Sequence, residues 1–277
     1  MVTKSPLRYP GGKANLAGFL RGLIDSNVDG GCTYYELYAG GAGAAIDLLL
    51  GGNVERIVLN DADIHIFDFW DSILYHTDEF LQRLWDTPVN MESWHYQREI
   101  YNSDEHTPLE IGFATFFLNR TNRSGIITKA GPIGGFDQTG AYKVDCRFNK
   151  VDLVHRIEHI AERVNDIEIH NEDTLVFIDR NRAHLADPHS FMYLDPPYYK
   201  NGSSLYLNAY NHQDHENLRD RMNEIRDNKW IMSYDDVEEI RALYENFVTQ
   251  VHELSYSLQV KRKTNEFLIY SDILHHN

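Results

Sequence analysis

Cysteine is almost missing from this chain of 277 residues. The two present, Cys32 and Cys146, lack the paired spacing of a zinc site and read as small buried residues rather than as a disulfide. Fourteen histidines are scattered, none in a two-histidine helix motif around a glutamate, so no metal centre is expected. Long apolar runs are missing too. Nothing approaches the roughly 18–20 residues of a membrane-spanning helix, and the amino terminus lacks a signal-peptide core, so a cytosolic protein is expected. Internal repeats and low-complexity tracts are absent as well. The length suffices for one large core plus a smaller insertion.

Positive charge is scarce: 26 Lys and Arg stand against 42 Asp and Glu, a net charge of −16. A protein that grips phosphates normally shows a basic footprint, and over the whole chain this one has none. Counted locally, it has two. Residues 1–22 carry Lys4, Arg8, Lys13 and Arg21 with no acidic residue, and residues 119–150 carry Arg120, Arg123, Lys129, Lys143, Arg147 and Lys150 against Asp137 and Asp145. Each stretch is +4, which leaves −24 on the remainder. Solvated loops would show the same count as a phosphate-binding surface with an acidic back; the second predicts strongly salt-dependent binding.

A third glycine is missing where a dinucleotide fold would have one. Thr33–Tyr38 reads as a strand, Ala39-Gly40-Gly41-Ala42-Gly43 as a tight turn and Ala44–Leu50 as a helix, but Ile46 stands where close helix packing wants Gly or Ala. That excludes the NAD fingerprint and leaves a mononucleoside-like cofactor. The next strand, Ile57-Val58-Leu59, ends in Asn60-Asp61, where a carboxylate can hold ribose hydroxyls.

What is present is concentrated in Asp195-Pro196-Pro197-Tyr198, after the apolar run Phe191–Leu194 that reads as a buried strand. A carboxylate at a strand end is held still. Two prolines fix φ and remove both backbone donors, so the Pro196 carbonyl can face outward as an acceptor, and an aromatic follows at once. Two acceptors and a π-face suit a flat, amine-bearing ring. The plainer reading is a strand-to-loop turn. Near the amino terminus, Tyr9-Pro10-Gly11-Gly12-Lys13 precedes a helical spacing of Leu16, Phe19, Leu20, Leu23 and Ile24; the glycines allow close approach to a ligand while Tyr9 and Lys13 point into a pocket.

Taken in order, the Pro-Gly-Gly-Lys segment, the glycine turn, an insertion and Asp-Pro-Pro-Tyr resemble the α-type adenine-specific DNA methyltransferases, the group that includes the Dam enzymes. The resemblance runs over nearly the whole chain and extends to Leu59–Asp63, Phe117–Gly125 and Ser233-Tyr234-Asp235. Two departures are Glu36, where the family often has Asp, and Ala39-Gly40-Gly41, where a single glycine is more usual. The resemblance implies S-adenosyl-L-methionine as methyl donor, duplex DNA as partner, base flipping, and catalysis by Asp195, Pro196, Pro197 and Tyr198. It further implies that Tyr9, Gly11, Gly12, Lys13, Glu36, Tyr38, Gly40, Gly41, Asp61, Asp173 and Asp195 line the donor site. Asp173 reads equally as the N-cap of a helix over Thr174–Ile178. Asn119, Arg120, Asn122, Arg123, Lys129 and Arg147 are expected at the DNA. Tyr199, Tyr206 and Tyr210 either cover the flipped base or pack. A prokaryotic or phage setting and a cognate restriction endonuclease belong to the same expectation.

The fold implied is α/β, a mostly parallel twisted sheet of the Rossmann-like methyltransferase type with a helical target-recognition insertion. Alternation of strands and helices in residues 1–62 and 151–277 predicts a discontinuous catalytic domain. Residues 63–150 change character: aromatic helices over Ile64–Leu74, Asp78–Leu84 and Pro108–Asn119, then a glycine-rich hairpin or extended loop over 125–148 as the DNA-reading element. Two other substrates, RNA adenine and protein glutamine, fit the same Asp-Pro-Pro-Tyr chemistry. A DNA-binding regulator with a vestigial cofactor site is the remaining alternative.

Overall fold

The strands are short and apolar, and several are buried on both faces: every position of Ser190–Leu194 and all but the first of Arg56–Asn60. Such runs belong to a parallel sheet with helices on each side. The structure, a computed structural model, describes residues 4–8, 16–103, 105–200, 210–257 and 261–275, with 253–257 and 261–265 described by their backbone only. In chain order come α1 (Ala17–Asn27), β1 (Thr33–Glu36), α2 (Gly43–Leu50), β2 (Arg56–Asn60), α3 (Ile64–Tyr75), α4 (Thr77–Asp86), α5 (Met91–Tyr101) and α6 (Pro108–Thr121). There follow α7 (Lys150–Ala161), β3 (Ile167–His170), α8 (Thr174–Arg180), α9 (Arg182–Leu185), β4 (Ser190–Leu194), α10 (His212–Glu224), β5 (Trp230–Asp235), α11 (Glu238–Leu243), β6 (Val248–Ser257) and β7 (Lys261–Tyr270).

The strands form one sheet of order β3-β2-β1-β4-β5-β7-β6. The first five are parallel; β7 runs antiparallel between β5 and β6. Alternate side chains feed two cores. Tyr34, Ile57, Phe191, Tyr193 and Ile231 pack with α1, α2, α3, α6 and α7, while Tyr35, Val58, Met192, Trp230 and Met232 pack with α8, α10 and α11.

Between β2 and α7 the chain leaves the sheet for the helices α3 to α6. Their aromatic residues, Phe69, Phe80, Phe113, Phe116 and Phe117, are fully buried and join the core beneath β1. The α3–α6 crossing is close because residue 112 is glycine; a Cβ there would lie 2.4 Å from the Asp68 carbonyl oxygen. Helix α6 begins as its sequence predicts, with Pro108 in the first turn and a capping box between Thr107 and Glu110. Helix α5 carries a weaker signal, since its buried stripe of Trp94, Gln97, Ile100 and Tyr101 includes a glutamine. Residues 126–148 form turns rather than strands, with one isolated bridge between Asn122 and Pro132. Among the described residues no helix is long and apolar enough to cross a membrane.

Candidate active site

Strand order reverses between β1 and β4, which lie side by side with Glu36 opposite Tyr193. In a doubly wound sheet the ligand crevice opens at the carboxyl ends of the strands flanking that reversal. The glycine turn leaves β1 at this point, and Asp195–Tyr198 leaves β4 beside it.

The turn is held from several sides. Gly40 takes φ +46° and Ala42 φ +44°, left-handed values that glycine adopts freely. For alanine they cost roughly 1–2 kcal/mol. The Gly40 N–H donates to Asp61 Oδ2 at 2.7 Å, and its carbonyl accepts the indole N–H of Trp70 at 3.0 Å. Asp61 Oδ1 also accepts the Asp63 N–H at 2.9 Å. Burial pushes the Asp61 carboxyl up to about 6, against the pull of these two N–H groups. Glu36 is buried, and its Oε2 accepts the Ala45 N–H at 3.1 Å, satisfying a donor in the first turn of α2. Gly41 is buried beside them. The Tyr38 hydroxyl lies 2.8 Å from that of Tyr210, and burial, reinforced by Tyr210, holds the Tyr38 phenol protonated far above its usual range. Asp173 is exposed and caps α8, its Oδ1 accepting from Leu175 N at 2.9 Å and Val176 N at 3.3 Å. The capping role is therefore the one its hydrogen bonds display.

Asp195–Tyr198 is held by the two strands beyond it. Continuing the register Leu194↔Met232 sets Asp195 beside Ser233, whose hydroxyl donates to Asp195 Oδ1 at 2.8 Å. The Tyr193 hydroxyl lies 2.8 Å from the same Ser233 oxygen. Pro196 and Pro197 are buried. Tyr198 donates its hydroxyl to Glu266, 2.9 and 3.0 Å from the two carboxylate oxygens, and Glu266 is itself only 3% exposed. Asp235, paired with Glu266 across β5 and β7, accepts the N–H groups of Tyr199 at 2.9 Å and Lys200 at 3.0 Å. Tyr199 and Tyr210 pack around the buried His215, with ring centroids at 5.1 and 5.4 Å.

In the insertion, burial corrects three expectations. Asn119, Arg120 and Asn122, expected at the DNA, lie inside the protein. Asn119 pairs with the Arg8 backbone in both directions, at 2.7 and 2.8 Å, and donates to the Gly125 carbonyl. Asn122 accepts the Trp94 indole N–H at 2.7 Å and donates to the Ile126 and Ile127 carbonyls. Arg120 donates to the Arg147 and Pro6 carbonyls; burial, with Arg8 and Arg156 adding repulsion, pulls its guanidinium down to about 9. These side chains build the base of the loop. Arg123, Lys129 and Arg147 are exposed on it. The loop is ordered internally by Gln138, whose amide donates to the Ile133 and Gly135 carbonyls and accepts the Val144 N–H at 2.8 Å.

The structure thus brings together Glu36, Tyr38, Gly40, Gly41 and Asp61 with Asp195–Tyr198. Tyr9, Gly11, Gly12, Lys13 and Tyr206 lie outside the described residues. Trp70, Tyr193 and Glu266 were given no role by sequence reasoning, and Ser233 and Asp235 entered only as part of a resemblance. The glutamate heading the apolar run Phe267–Tyr270 of β7 was the one local signal, since a buried carboxylate is costly unless it is hydrogen-bonded.

A family model described as D12 class N6 adenine-specific DNA methyltransferase matches residues 9–259. No curated protein matches. Two solved structures of the rRNA methyltransferase aviRa from Streptomyces viridochromogenes are similar: one at 12% identity over 96% of this chain and 87% of that one, with a TM-score of 0.38. The other has 11% identity over 96% and 88%, with a TM-score of 0.41. Matched over most of its length by the family model, and carrying Asp-Pro-Pro-Tyr beside a glycine turn, the chain belongs to the D12 class N6 adenine-specific DNA methyltransferases.

Proposed function

We propose that the protein transfers the methyl group of S-adenosyl-L-methionine to the N6 amine of adenine at a defined site in duplex DNA, as a member of the α, Dam-like group. The observation that carries this reading is the side-by-side exit of the glycine turn and of Asp195–Tyr198 at the reversal of strand order. The residues present fit such a donor: Gly40 and Gly41 allow close approach, and Asp61 presents a carboxylate at the end of β2 for ribose hydroxyls. Tyr38 and the start of α2, held by Glu36, complete that side. When bound, the sulfonium supplies an electrophilic methyl group.

The chain's own task is to make a poor nucleophile attack. The lone pair of adenine's amine is delocalised into the ring, and it becomes localised when both N–H bonds meet acceptors. Asp195 and the Pro196 carbonyl are those acceptors, and the charge developing on nitrogen is stabilised by groups already in place, an effect of about 3 kcal/mol or more per group. Pro197, without an N–H, leaves no donor to compete. The ring of Tyr198, with its hydroxyl on Glu266, stacks on the base once it is flipped. Residues 63–150 form the recognition unit set into a catalytic domain of residues 1–62 and 151–277, with Arg123, Lys129 and Arg147 at the phosphates.

The test is labelled methyl transfer from the donor to duplex DNA, RNA and protein in parallel. Label recovered as N6-methyladenine from the duplex is expected; label only in RNA, in glutamine, or on another base overturns the reading.

A further inference from the structure

Ser233 has one proton, and its neighbours decide where it goes. A carboxylate only accepts, so the contact to Asp195 Oδ1 at 2.8 Å takes the serine proton. The contact between Ser233 Oγ and the Tyr193 hydroxyl, also 2.8 Å, is then donated by tyrosine. The chain of donors has a single direction: Tyr193 to Ser233 to Asp195. Tyr193 and Ser233 are both 0% exposed, so water does not enter to reverse it. Burial, with Asp195 adding to it, holds the Tyr193 phenol far above its usual range, which keeps it a donor.

The placement follows from the sheet. Asp195 follows β4 directly, two residues after Tyr193, and continuing the register Leu194↔Met232 sets it level with Ser233 on the neighbouring strand β5, where both side chains meet the Ser233 hydroxyl. With Oδ1 held by a serine that cannot itself rotate away, rotation of the carboxylate about χ2 is restrained.

We propose that Ser233, directed by Tyr193, is a positioning residue that orients the Asp195 carboxylate toward the amine of the flipped base. This rests on the role given to Asp195 above, and it assigns a function to two residues that touch neither donor nor base. Hydrogen bonds to charged groups are among the stronger ones, so losing this one has a measurable effect on rate. On the reading above the donor is held chiefly from the β1 and β2 side, so its affinity is expected to stay unchanged.

The experiment is a double-mutant cycle on single-turnover methyl transfer to duplex DNA, with donor affinity measured by calorimetry on each protein. Ser233→Ala is expected to slow the step about tenfold or more with an unchanged donor dissociation constant. Tyr193→Phe is expected to slow it less, because serine can still donate. The double variant should match Ser233→Ala alone, since Tyr193 acts only through Ser233. Equal rates for Ser233→Ala and the wild type, additive losses in the double variant, or a loss of donor affinity in Tyr193→Phe would each overturn the proposal. An Asp195→Ala control keeps the two readings apart: if it is active, the role of Asp195 falls; if it is inactive while Ser233→Ala is normal, only the positioning role falls.

Discussion

The glycine turn after β1 and the Asp195–Tyr198 segment after β4 lie side by side, yet they are held by different kinds of neighbour. The turn is held from nearby in the chain: Asp61 and Asp63 follow directly on β2, Trp70 sits on the helix that Asp63 caps, and Glu36 reaches its own next helix. Backbone N–H groups are the main donors there, so the geometry depends on turn conformation. The Asp195–Tyr198 segment is held by the later strands: hydroxyl donors link Ser233 on β5 to Asp195 and Tyr198 to Glu266 on β7, while Asp235 on β5 takes the backbone N–H groups of Tyr199 and Lys200 just beyond. The carboxyl-terminal strands therefore do more than close the sheet. The bracing of the turn is local, whereas that of Asp195–Tyr198 needs β5 paired with β4 and β7 paired with β5.

The largest effect expected from breaking this pairing is on the acceptor side. Asp195→Ala removes one preorganised acceptor and should lower turnover by at least about a hundredfold. Steady-state rates on duplex DNA check it.

Next in size is the donor side. Asp61→Ala should raise the donor's dissociation constant about tenfold or more, by removing a charge-assisted hydrogen bond as well as the brace on Gly40. Ribose hydroxyls favour the ionised carboxyl. With that carboxyl pushed up to about 6, donor affinity should fall as pH drops through about 6, and Asp61→Asn should flatten the dependence. The effect on folding has the opposite sense, because a raised carboxyl pKa means that ionisation opposes folding: the group favours the fold at low pH, and that contribution fades as pH rises through about 6. Calorimetric titrations across that range measure the first, and denaturant midpoints of wild type and Asp61→Asn the second.

Glu266→Ala should have a smaller effect, a several-fold loss of turnover with donor affinity kept, and Tyr198→Phe should reproduce most of it. Should Glu266→Ala instead weaken donor binding, the division into two sides would fail. Smallest are the insertion variants. Arg123→Ala and Arg147→Ala should each flatten the salt dependence of DNA binding by about one unit of slope, with donor affinity unchanged. If one of them forks onto a guanine, it should lose about 1–3 kcal/mol on the cognate duplex and little on a scrambled one.

Local patterns carry the glycine turn and its bracing, and they were readable. Strand, glycine turn, helix and the carboxylate of Asp61 all lie within one stretch of chain, and each is set by backbone period or by a residue's φ preference. The Asp195 strand was equally plain, as was most of the helix and strand order. The brackets on Tyr198 and Asp195 were not, because register across β5 and β7 decides them and no local period encodes register between distant strands. Asn119, Arg120 and Asn122 misled for a related reason. Their polarity and position in a basic stretch suggested a surface, whereas the turn at the end of α6 leaves buried carbonyls that need donors, and these side chains supply them.

Donor affinity and single-turnover rate at saturating donor, taken on the same preparations of Asp195→Ala and Asp61→Ala, show whether the two sides are built separately. Mirror images are expected: Asp195→Ala binds the donor normally and fails to transfer, while Asp61→Ala binds weakly and, once saturated, transfers at close to the wild-type rate. If Asp195→Ala lost donor binding, or if Asp61→Ala stayed inactive at saturation, the two sides would not be separately built and the account would be contradicted.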